Sequence, residues 1–193
     1  MVRNAAGMRT AETWAGMMES GRFPEGLSRS GVINDIATII EHADPEQFSR
    51  AVEVVAKVAA DLEKSGDRET MSRLFNGLAA LGDKGVTQED VLAGYEKFPA
   101  GLRGAYLNRV ALHQKDPPAA LIRTALRSSE AGLRSAALTC AARIKDPSFL
   151  QDAIAAYADP EPKVSEAAGN LIEVSVRADP ARGEELVEGS SGP

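Results

Sequence analysis

Apolar residues recur along this chain at a helical period over most of its length. From residue 31, Val32, Ile33, Ile36, Ile39 and Ile40 fall at steps of three and four, so even β-branched residues keep a period of 3.6 rather than 2. The spacing predicts a helix, and because these residues have modest helix propensity, tertiary packing must hold it. Asp44-Pro45-Glu46-Gln47 then supplies an N-cap, a proline at the first helical position and a capping-box glutamine. It opens the longest predicted helix, with Phe48, Ala51, Val52, Val55, Val58, Ala59 and Leu62 as its buried stripe and Gly66 as its stop. On the polar side Glu53, Lys57 and Asp61 lie one turn apart and can pair. Met71, Leu74, Phe75, Leu78 and Leu81 predict the next helix, closed by Gly82. Thr87 and Asp90 open another through Val91, Leu92, Tyr95 and Phe98, stopped by Pro99.

Beyond this point the pattern predicts helices over about 101–114, 117–127, 130–145, 147–158 and 160–178. Asp44, Asp116, Asp146, Asp159 and Asp179 each precede a proline; Asp caps exposed amides and Pro presets φ, so these pairs punctuate helices. At the other end, residues 1–30 form a lead-in with one helix over Thr10–Ser20, where Trp14, Met17 and Met18 share a face, followed by a loop over Gly21–Ser30. Residues 31–99 read as divergent helical repeats, 100–182 as clear repeats and 183–193 as a tail.

The clear repeats rest on identity. Ala100-Gly101-Leu102-Arg103 recurs 31 residues later as Ala131-Gly132-Leu133-Arg134, and Lys115-Asp116-Pro117 is matched by Lys145-Asp146-Pro147. Ala105/Ala136, Leu107/Leu138 and Ala111/Ala142 extend the match, and a decayed third copy keeps Val164 and Ala167 but places Ser165 where arginine stood. Units of helix, turn and helix at this period mark an α-solenoid, in which no unit buries its own apolar face.

Leu102-Arg103 with Ala105, Leu133-Arg134 with Ala136-Ala137, and Val164 with Ala167-Ala168 resemble the HEAT-like repeats, in particular the short variety first associated with phycobilisome lyases. The resemblance covers 100–178, and 31–99 by helix pattern alone. It implies an all-α, right-handed solenoid of stacked antiparallel helix pairs, about ten helices in all, with second helices lining a concave face. It says almost nothing of activity, since the family includes adaptors, assembly factors, bilin lyases and some DNA glycosylases. On that face Arg103 and Arg134 would fall in register, either as a ladder to acidic residues of adjacent units or as bidentate donors to an acidic partner. Tyr106, Arg109 and His113 follow Arg103 on the same helix and would widen such a patch.

Composition narrows the function classes. The 193 residues are 44% hydrophobic and only 5% aromatic, with abundant alanine, which suits closely stacked helices better than a sheet. A net charge of −6 disfavours a general grip on nucleic acid, and no apolar run approaches the ~20 residues of a membrane span, so a soluble, cytoplasmic protein is expected. Cys140 is the only cysteine, which forbids an internal disulfide; on its alanine-rich helix it reads as a small buried hydrophobe, with a reactive thiol as the alternative. His42 and His113, the only histidines, lack partners at ligand spacing, so neither a zinc site nor another metal or cofactor is expected. Gly26 to Gly31 misses the nucleophile-elbow spacing by one residue, and Gly77 to Lys84 misses a phosphate loop in sequence and in context. Trp14, Met17 and Met18 either shield the first repeat's open face or form a docking element. The expectation is a non-enzymatic scaffold that holds a protein partner on its concave face. The alternatives are a HEAT-like bilin lyase component or DNA glycosylase, or a spacer module of a larger protein.

Overall fold

A computed structural model describes residues 2–20, 26–110 and 119–180, the side chains of 2–5 excepted. The described residues are all-helical, with no strand. Ten α-helices follow one another: α1 (Val2–Ser20), α2 (Arg29–Glu41), α3 (Phe48–Ser65), α4 (Arg68–Gly82), α5 (Gln88–Lys97), α6 (Ala100–Arg109), α7 (Ala119–Leu126), α8 (Ala131–Ile144), α9 (Leu150–Ala156) and α10 (Pro162–Ala178). They belong to two compact units, residues 1–118 and 119–193. Residues 111–118, with His113 and Lys115-Asp116-Pro117, and the tail 183–193 lie outside the described residues.

Local sequence signals set several helix ends. Ser28 Oγ accepts the Gly31 N–H at 3.1 Å, which starts α2 inside the stretch expected to be loop. The Asp44 N–H donates to Gln47 Oε1 at 3.4 Å, and Pro45–Gln47 forms a 3₁₀ turn that runs into α3. The Asp90 N–H donates to Thr87 Oγ1 at 3.1 Å at the start of α5. Gly66, at φ 73°, ends α3 in the left-handed region that a residue without Cβ enters at no steric cost. α1 begins eight residues before its expected start, because Met8, Ala11, Ala15 and Met18 form one buried stripe and two of its members are alanines.

In the first unit alternate helices pack side by side. α1, α3 and α5 form one row and α2, α4 and α6 a second, while α1 packs on α2, α3 on α4 and α5 on α6 across the rows. Between them lies a core of Ile33, Ile36, Val55, Leu62, Leu74 and Leu78. An aromatic cluster closes its α5–α6 end, with ring centroids 5.2 Å apart for Phe75 and Phe98, 5.1 Å for Phe98 and Tyr106, and 6.3 Å for Tyr95 and Tyr106. In the second unit α7 packs on α8, α9 on α10, and α8 lies along α10, where Ala137, Ala141 and Ala142 permit close approach.

Repeat-equivalent positions are alike in burial. Leu102 and Leu133, Tyr106 and Ala137, Leu107 and Leu138, and Val110 and Ala141 are all buried, and Val164 and Ala168 continue the series in α10. Gly169 stands at the third copy's leucine position, and Leu171 enters the core instead.

Candidate functional site

The two rows of the first unit differ in what they show on their outer sides. The α1/α3/α5 row is stitched across helices by ion pairs: Arg50 donates to both Glu12 carboxylate oxygens at 2.7 Å, Lys97 reaches Glu53 at 3.4 Å, and Lys57 reaches Glu19 at 3.9 Å. Glu53 and Lys57 therefore pair between helices, as does Asp61 with Arg29 of α2, rather than with one another along α3. The Arg50 hydrogen bond holds the Glu12 carboxyl below its usual range, against a smaller opposing effect of burial.

A groove of about 230 Å³ on the α1/α3 side is thus lined by the paired charges of Glu12, Arg50, Glu53 and Lys57, while the α2/α4 surface carries a groove of about 480 Å³. Ala37, Gly77 and Ala80 form its small-residue floor, and Asn34, Thr38, Glu41, Arg73 and Asn76 its polar rim. The floor is low because the backbones nearly touch: a Cβ on Gly77 would lie 2.8 Å from the Ala37 carbonyl oxygen. Arg73 Nη1 donates to Asn34 Oδ1 at 3.0 Å, bridging α4 and α2, and its Nη2 donates to Glu69 at 2.9 Å. From α6, Arg109 Nη1 donates to Asn76 Oδ1 at 3.0 Å. An asparagine–arginine bridge thus recurs at successive helix junctions of one row. At the groove's α2 end, Lys84 Nζ donates to the Glu41 and Ala43 carbonyls at 2.6 and 3.1 Å and satisfies that helix terminus.

The residues expected to bind a partner divide by environment. Arg109 is exposed on the rim of this row. Tyr106, by contrast, is fully buried, and its hydroxyl donates to the Val91 carbonyl at 2.8 Å, so no partner reaches it at the surface. Burial, with the Asp90 charge adding to it, pushes its phenol well above the ordinary value. Arg103 Nε donates to the Phe98 carbonyl at 3.0 Å, and its guanidinium lies 5.2 Å from the Tyr95 ring centroid, so it fastens α6 to the end of α5. In the second unit Arg134 folds back in the same sense: Nη1 donates to the Ser128 and Ser129 carbonyls at 3.0 and 2.9 Å, while Nε and Nη2 grip Asp159 at 2.8 and 2.9 Å. That hydrogen bond is the main cause of the lowered Asp159 pKa and the raised Arg134 pKa.

Of the expected docking face, Met18 points into the core at 6% exposure, while Trp14 and Met17 are half-buried at its margin. The three side chains thus form no common outward face, because Met18 belongs to the stripe that seats α1. Burial pushes the Cys140 thiol up to about 12, which keeps it protonated at neutral pH. No group of three or more His, Cys, Asp or Glu side chains that could hold a metal occurs among the described residues, and none of the described helices is long and apolar enough to cross a membrane. Neither a family model nor a curated protein nor a solved structure matches this chain.

Proposed function

We propose that the chain is a non-enzymatic protein-binding scaffold built from HEAT-like helix pairs stacked as an α-solenoid, and that the α2/α4/α6 row is its recognition face. One observation carries this: the outer side of α1/α3/α5 joins its charges to one another across helices, whereas on α2/α4/α6 the exposed Arg73 and Arg109 reach across helices to the neutral Asn34 and Asn76 beside the α2/α4 groove, and Arg73 pairs besides with the exposed Glu69 of its own helix. Guanidinium groups displayed this way offer bidentate donors to an acidic partner. Helices packed to a common core hold those donors at fixed intervals, so little ordering entropy is lost on the scaffold's side when the partner binds. The shared burial pattern of α6, α8 and α10 supports treating the helix pairs as copies of one element.

Affinity isolation from native lysate tests the assignment. Arg73→Glu with Arg109→Glu should abolish capture of whatever the wild-type chain retains, with the circular dichroism spectrum unchanged and the melting temperature only slightly lowered by the lost interhelical bonds. Lys64→Glu, on exposed α3 surface, should leave capture intact. Equal loss in both variants, or in neither, would remove the recognition role from this row.

A further inference from the structure

We infer that the α2/α4 groove takes an extended peptide segment bearing a carboxylate side chain, which lies toward Arg73 and toward Arg109 of α6, the latter bonded to the groove residue Asn76. The inference rests on the row being the recognition face and adds the chemistry of its ligand.

Hydrogen-bond polarity comes first. A guanidinium donates and never accepts, so the contacts of Arg73 and Arg109 fix both carboxamides with oxygen toward arginine. The amide nitrogens of Asn34 and Asn76 then offer N–H donors that bond to nothing among the described residues. Thr38 spends its hydroxyl hydrogen on the Asn34 carbonyl at 2.9 Å, leaving its oxygen as an acceptor, and the Glu41 carboxylate lines the same groove. The rim therefore carries both donors and acceptors, the acceptors Thr38 and Glu41 on α2 and the donors of Asn34, Arg73 and Asn76 on α2 and α4. A small anion satisfies the donors alone and meets Glu41 with like charge. A main chain in extended form offers both N–H and C=O outward, whereas a helix has already used its own.

Spacing agrees with this. Packed helices lie about 8–10 Å apart, so the two asparagine–arginine bridges recur at about the rise of three extended residues. Charge then sets the side chain. Arg109 has no carboxylate partner among the described residues, and the Glu69 that pairs with Arg73 is 82% exposed. An exposed pair of that kind is worth little, so a ligand carboxylate displaces it at small cost and gains a bidentate contact.

Nitrogen-15 NMR of the full chain tests this with three probes: acetyl-Gly-Glu-Gly-Glu-Gly-amide, the same peptide with Gln for Glu, and sodium acetate. The Glu peptide should shift the Asn34 and Asn76 carboxamide resonances saturably. The Gln peptide should bind about tenfold or more weakly, as expected when a charge-assisted contact becomes a neutral one. Arg73→Gln with Arg109→Gln should remove the preference between the two peptides, with the backbone spectrum otherwise conserved. Equal binding of both peptides by the wild type, equal shifts with acetate at matched concentration, or no saturable shift would each overturn the inference. Should the peptide fail while Arg73→Glu with Arg109→Glu still abolishes capture, the recognition face stands and only the ligand chemistry falls.

Discussion

Tyr106→Phe is the substitution that best separates a structural from a recognition role on α6. The hydroxyl is buried and donates to Val91 at 2.8 Å, while the ring packs against Phe98 and Tyr95. Phenylalanine keeps the ring contacts, and the Val91 carbonyl keeps its bond within α5, so the loss is one net neutral hydrogen bond, about 1 kcal/mol. For a cooperative unit near the size of residues 1–118, that lowers the melting temperature by roughly 3–5 °C. Tyr106→Ala also deletes the ring and should cost about 3–5 kcal/mol. Urea unfolding read by Trp14 fluorescence reports on the unit concerned, since Trp14 is the only tryptophan and lies in α1. Ultraviolet titration adds an independent readout: Tyr106→Phe should remove a tyrosine that ionises well above the ordinary value. Unchanged stability combined with lost partner capture would refute the assignment and return the hydroxyl to a partner.

Two further perturbations probe packing and electrostatics. Gly77→Ala places a Cβ 2.8 Å from the Ala37 carbonyl oxygen, so overpacking of about 1–3 kcal/mol should outweigh the gain in helix propensity. Gly16→Ala, with nothing within 4 Å, should stabilise by up to about 1 kcal/mol, and thermal melts of the pair check both signs. Because the Asp159 pKa is lowered from its ordinary 3.8, its contribution is present above that value and is lost as pH falls through the lower folded value. Asp159→Asn should therefore melt below wild type at neutral pH and converge with it in acid; a constant gap across that range would show that the Arg134 contact does not depend on the charge.

The helices were legible because burial follows the period of 3.6, and their ends because Ser, Thr, Asp, Pro and Gly act within a few residues. The start of α1 was not, since Ala11 and Ala15 are core residues in this helix yet carry little hydrophobic signal. Tyr106 was legible in principle: it stands four residues after buried Leu102 and matches buried Ala137, which places it on the inner face despite its neighbours Arg103 and Arg109. Arg134 could be anticipated as a helix-junction residue, but choosing Asp159 among 28 acidic residues needs the fold. The groove escaped sequence reasoning because Asn34 and Asn76 resemble ordinary solvated positions, and only the side-by-side packing of α2, α4 and α6 joins Asn34 to Arg73, 39 residues away, and Asn76 to Arg109, 33 residues away.

Hydrogen exchange of the full chain, alone and with its captured partner, locates the recognition face. Slowed exchange should concentrate in α2, α4 and α6, with α1, α3 and α5 exchanging as in the free chain. Slowed exchange concentrated in α1, α3 and α5 would contradict that placement.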